Sequence, residues 1–146
     1  MRGNVRQITL ILKQYKMLKS ELENTVRIYE TYEKGGLRPI DTTMEYTSKT
    51  NAFNSSTEKV AIYLMDYGES IKRLRLQIDT IDTALKCLSA REKKIITYKY
   101  FEGYSWYEVS CELKLCDKWC KEIKKQAFKK LIKTIPVEIF PSIFFD

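Results

Sequence analysis

The 146-residue chain contains no histidine. That absence removes the usual general base near neutral pH, the commonest neutral zinc ligand, and every Ser-His or Cys-His nucleophile pair. Carboxylates and thiols remain, but the chain is expected not to be an enzyme, and no cofactor is expected. Glycine and proline are scarce, at five and three residues, which favours long helices over a turn-rich β fold. No apolar run reaches the roughly 18–20 residues that a membrane-spanning helix requires, so no membrane-spanning segment is expected. The opening stretch MRGNVRQITLILKQYK has neither an uninterrupted apolar core nor a small-residue cleavage site. A cytoplasmic protein is therefore expected, with Cys87, Cys111, Cys116 and Cys120 as reduced thiols.

What is present describes a folded, basic, helical chain. Hydrophobic content of 44% alongside 31% charged residues sets it apart from disordered sequences. A net charge of +7 suggests a polyanionic partner or a membrane surface without choosing between them. Ile8, Ile11, Tyr15, Leu18, Leu22, Thr25, Tyr29 and Tyr32 alternate in steps of three and four, the a/d seam of an amphipathic helix over about residues 4–33. Gly35 and Gly36 are expected to stop it. Val60, Leu64, Tyr67, Ile71, Leu74, Ile78, Ile81, Leu85 and Leu88 repeat the pattern. Ser55-Ser-Thr-Glu58 reads as the capping box of that second helix, over residues 56–88. The polar segment 34–55 then becomes a long loop, with Phe53 as an isolated anchor. Two seams of similar length suit an antiparallel hairpin over residues 1–88, or homo-oligomerisation through the same faces.

Beyond Leu88 the elements shorten. Ser89-Ala-Arg-Glu92 and Ser105-Trp-Tyr-Glu108 are two further capping boxes. The first opens a helix running to Gly103. The second opens a short helix through Val109 and Leu113. A basic helix follows, with Cys120, Ile123, Ala127, Phe128 and Leu131 at helical spacing, until Pro136 stops it. Between positions 114 and 133 there are eight lysines against Asp117 and Glu122, net +6. Three short helices, the last one basic, make a helix-turn-helix pattern over residues 89–135. In it the Ser105–Leu113 helix would cross the DNA backbone and the basic helix would enter the major groove. Ser110 is small enough to let the two helices approach. A solvated charged face is the plain alternative for any lysine run. Cys116 and Cys120, four apart, raise the question of half a metal site, but no Cys-x-x-Cys pair and no histidine accompany them, so no metal is expected. Residues 136–146, VEIFPSIFFD preceded by the proline, form an apolar tail that should pack against the body.

Residues 88–131, LSAREKKIITYKYFEGYSWYEVSCELKLCDKWCKEIKKQAFKKL, resemble the helix-turn-helix of sigma-70 region 4. Together with the helical N-terminal half and the NAFNSSTEKVAI segment, the chain resembles sigma-like regulators of Gram-positive phages, the RinA/ArpU type. The resemblance implies an all-α fold: a long helical hairpin or coiled coil followed by the helix-turn-helix. It also implies double-stranded promoter or operator DNA as partner, with bacterial RNA polymerase as a second one, in the host cytoplasm. The positions it brings to base edges or phosphates are Asp117, Lys118, Lys121, Glu122 and Lys125, with Lys124 and Lys129 on the same basic helix. Lysine suits guanine acceptors, and glutamate suits the cytosine amino group. Ser105, Trp106 and Tyr107 fall where the preceding helix meets either the sugar-phosphate backbone or, for Trp106, the core. Three positions depart from the pattern: Lys114 stands at a glycine position, Cys116 at a Ser/Thr cap, and Trp119 at a smaller polar residue. No segment resembles the sigma region that opens the −10 element, which implies an activator or partial sigma acting at late-gene promoters. A phage small terminase subunit, which presents viral DNA for packaging, is the alternative, and a coiled-coil protein with no DNA role is a third reading.

Overall fold

The computed structural model describes residues 4–35 and 49–141, with the side chains of the second helix from Thr57 onward. Every regular element among them is helical, so the fold is all-α. The order is α1 Val5–Glu33, α2 Lys49–Lys86, α3 Ala90–Ile96, α4 Trp106–Leu113 and α5 Asp117–Thr134. A π-helical turn, Thr97–Phe101, extends α3, and a 3₁₀ turn, Val137–Ile139, follows α5.

The helix ends follow local chemistry. Asn4 and Gln7 cap α1 reciprocally: the Gln7 N–H donates to Asn4 Oδ1 at 2.9 Å, and the Asn4 N–H donates to Gln7 Oε1 at 3.0 Å. Each bond satisfies a backbone donor that lacks a helical partner. Gly35, at φ +74°, ends the turn after α1 in a backbone conformation that a side chain would disfavour. Ser89 and Ser105 each accept the N–H three residues on, from Glu92 and Glu108, at 3.2 Å. Ser55-Ser-Thr-Glu58, by contrast, lies inside a helix and not at its start. Helix α2 begins at Lys49, because Lys49–Asn54 contains no glycine or proline to prevent a helix from running through it. Of the expected 34–55 loop, residues 36–48 lie outside the described residues, as does the side chain of Phe53.

The chain forms two compact units, one of residues up to Leu18 together with Leu76 onward, the other of Lys19–Arg75. In the first unit Tyr15 of α1 stacks on Phe101 with ring centroids 4.6 Å apart, and its hydroxyl donates to Asp82. Ile8, Ile11, Leu12 and Ile81 are all essentially sealed from water, each contributing on the order of 1.5–3 kcal/mol by burial. Val137 and Phe140 of the C-terminal segment are buried too, and Gln77 Nε2 donates to the Ile139 carbonyl at 2.7 Å. The apolar tail thus packs as far as Phe140; residues 142–146 lie outside the described residues.

In the second unit α1 and α2 run antiparallel. Tyr32 lies against Tyr63 and Tyr67, at 5.6 and 6.0 Å between centroids. Gly68 meets the Tyr29 ring at 3.6 Å from where a Cβ would stand. Tyr32 of the first seam therefore faces Tyr67 of the second inside the chain, where ring offset and area burial favour contact.

Candidate nucleic-acid interface

Helix α5 packs against α3 and α4. Ile95, Val109 and Cys120, one from each helix, are wholly buried together, ringed by Tyr98, Tyr104, Trp106, Leu113, Leu115 and Ile123. This small core fixes how α4 leads into α5. Gly103, at φ +74°, closes the turn after α3, and the Tyr104 N–H donates to the Tyr98 carbonyl at 2.9 Å. The two tyrosine rings then stack at 5.4 Å.

The turn from α4 to α5 is only three residues long, Lys114–Cys116. Lys114 adopts a left-handed conformation, φ 55° and ψ 40°, and its N–H donates to the Ser110 carbonyl. The Leu115 N–H donates to the same carbonyl at 3.2 Å. This is the backbone conformation for which glycine is the usual choice at a helix C-terminus. Cys116 then occupies the cap of α5 in an extended conformation without any side-chain hydrogen bond. A thiol is a weak acceptor, so the first amides of α5 lack the bond that a hydroxyl or carboxylate gives.

At about 100° per residue, Lys118, Glu122, Lys125 and Lys129 occupy the middle of the face opposite Cys120, Ala127 and Leu131. All four are exposed, while Cys120, Ala127 and Leu131 are buried. Asp117 and Lys121 are exposed on one flank and Trp119 on the other. Glu122 Oε1 lies 3.6 Å from Lys125 Nζ, a loose surface pair. Lys124 is turned away from this face: it is half-buried, with Nζ 4.9 Å from the centre of the Phe128 ring. Lys130 is also withdrawn, bonding Glu92 Oε1 at 3.0 Å.

The three candidates on α4 separate. Ser105 is committed to its cap, with its hydroxyl also 3.3 Å from Glu108 Oε1. Trp106 is half-buried against the small core, with Lys99 Nζ 5.1 Å from its ring centre. Tyr107 stands 73% exposed. The cysteine pair does not converge: Cys116 is exposed and Cys120 is buried. Burial pushes the Cys120 thiol pKa up, and Asp117 and Cys116 add to the shift. Among the described residues no group of three or more Cys, Asp or Glu side chains is placed to hold a metal ion. Nor is any helix among them long and apolar enough to cross a membrane.

Sequence reasoning treated Lys114 and Trp119 only as departures from a pattern. Trp119 proves to be 62% exposed. The signal for that was its register, since it falls off the buried stripe through Cys120, Ala127 and Leu131.

The chain belongs to the family described as "Protein of unknown function (DUF722)", whose model matches residues 7–134. It is also similar to the RNA polymerase sigma-G factor of Clostridium acetobutylicum, 35% identical over 78 residues. That match takes in 51% of this chain and 30% of the sigma factor, so the chain spans under a third of its relative's length. No solved structure matches.

Proposed function

We propose that the chain is a sequence-specific, double-stranded-DNA-binding transcriptional regulator, with α4 and α5 as a helix-turn-helix and α5 as its recognition helix. It acts in the bacterial cytoplasm with RNA polymerase, as a phage late-gene activator of the RinA/ArpU type. The observation that carries this reading is the outward row Lys118, Lys125 and Lys129 on a helix whose first three residues are exposed beyond a three-residue turn. In a helix-turn-helix the second helix presents its N-terminal residues to base edges, while lysines farther along neutralise phosphates. Similarity to an RNA polymerase sigma factor supports polymerase as the second partner.

The test is duplex binding by fluorescence anisotropy across a salt series, comparing the native chain with Lys118→Ala/Lys129→Ala. For every phosphate no longer neutralised, the slope of log K against log salt should flatten by about 0.9. Both substitutions lie on exposed positions and leave the core intact. Unchanged affinity and slope would remove α5 from the interface. Run-off transcription with bacterial RNA polymerase tests the activator step: initiation should rise only on templates that carry the bound site.

A further inference from the structure

Trp119 is a large apolar side chain in the first turn of α5, and more than half of it meets water. With Cys116, Lys118 and Glu122 it lines a shallow depression of about 240 Å³. No aromatic ring lies against it among the described residues, unlike Tyr98 and Tyr100, whose rings lie against Tyr104 and Phe128. An indole left in water at this point is an apolar island on the flank of the face that carries Lys118 and Glu122.

We propose that Trp119 is a specificity-determining residue that reads thymine through its C5-methyl group in the major groove. The inference rests on the DNA-binding reading above and sharpens it. Among base-pair edges exposed in the major groove, the thymine C5-methyl is the one apolar group large enough to fill a contact, and the distinguishing polar groups are hydrogen-bond donors and acceptors. The third residue of a recognition helix is placed to reach a base edge. Lys118 and Glu122 beside it supply one donor and one acceptor, so the first two turns of α5 carry three kinds of readout. The charged pair addresses guanine or cytosine, and Trp119 addresses thymine.

The experiment begins by enriching duplexes from a random-sequence pool with the full-length chain. Each thymine of the enriched site is then replaced singly by deoxyuridine, which removes the methyl and leaves every hydrogen-bonding group in place. The native chain should lose about fourfold in affinity at one or two thymines, the worth of burying one methyl-sized group. Trp119→Ala should bind more weakly and be indifferent to those replacements, whereas Trp119→Phe should keep part of the sensitivity. If a site is enriched but deoxyuridine is neutral throughout, or Trp119→Ala retains the native sensitivity, the thymine assignment falls while DNA binding stands. If no duplex is enriched at all, the DNA-binding reading falls and takes this one with it.

Discussion

Lys130 Nζ lies 3.0 Å from Glu92 Oε1, tying the C-terminal third of α5 to the first turn of α3. Glu92 is 8% exposed, and its second carboxylate oxygen has no hydrogen-bond partner. The same residue donates its backbone N–H to Ser89. One glutamate thus joins the cap of α3 to the helix that carries the candidate interface.

Replacing Lys130 with methionine should therefore cost stability through the carboxylate it leaves behind. An unsatisfied buried charge costs on the order of 1–3 kcal/mol or more. Because Lys130 is itself nearly half exposed, the loss should fall towards the low end of that range. Adding Glu92→Gln to Lys130→Met should recover part of it, since a neutral amide is cheaper to bury. Urea unfolding of the two single variants and the double variant measures the coupling. A Lys130→Met chain as stable as the native one would show that the bond contributes nothing.

The turn between α4 and α5 holds a lysine where the backbone favours glycine. A left-handed residue with a Cβ carries a penalty of roughly 1–2 kcal/mol, against about 0.4–1 kcal/mol of extra unfolded-state entropy for glycine. Lys114→Gly should accordingly raise stability by about 0.5–1 kcal/mol. Lys114→Val, β-branched at the same φ, should lower it. Denaturant midpoints for the two variants should move in opposite directions, and a common direction would refute the strain argument.

Cys116 offers a second local gain. Its φ and ψ, −70° and 157°, are already those of an N-cap, so a serine or aspartate needs no backbone change to accept an amide of the first turn. Cys116→Ser should stabilise the chain by about 0.5–2 kcal/mol. Cys116→Ala, which has no acceptor, should leave stability nearly unchanged. Thermal unfolding of both variants distinguishes a capping gain from mere removal of a thiol.

The sequence marked helices well wherever periodicity and a capping hydroxyl agreed, as at Ser89 and Ser105. It misled where a capping box stood inside a longer helix, at Ser55–Glu58, because a cap motif is a local signal that propagation can override. The Asn4–Gln7 cap was passed over, although a side-chain acceptor followed three residues later by an amide carries the same signal. The contacts of Tyr15 with Asp82 and Phe101 were not legible, because they join residues far apart along the chain. On α5 the outward lysines followed from helical spacing alone. That spacing gave no warning that Lys124 folds back over Phe128, because the long aliphatic stem lets the ammonium reach the aromatic face.

High pH should loosen the first unit through one buried acid, Cys120, and one half-buried acid, Tyr100. Burial raises the Tyr100 hydroxyl above its usual 10.0, a shift opposed by the hydrogen bond to Thr9, and raises the Cys120 thiol above its usual 9.0. In both cases the folded state holds a proton that the unfolded chain releases at lower pH. Their contributions are therefore fully present below about pH 9 and are lost as pH rises through the folded values. The unfolding free energy should stay level with respect to these two groups up to about pH 9, then begin to fall as Cys120 enters its window. The fall should steepen past pH 10 as Tyr100 joins. Tyr100→Phe removes the second group, at the expense of about 1 kcal/mol for its bond to Thr9. That variant should start less stable at pH 8 yet decline less between pH 10 and 11. Cys120→Ala should likewise flatten the curve from pH 9 upward. Urea unfolding from pH 7 to 11 reads both slopes, and a Tyr100→Phe chain that declines as steeply as the native one would exclude Tyr100 as a source of the alkaline loss.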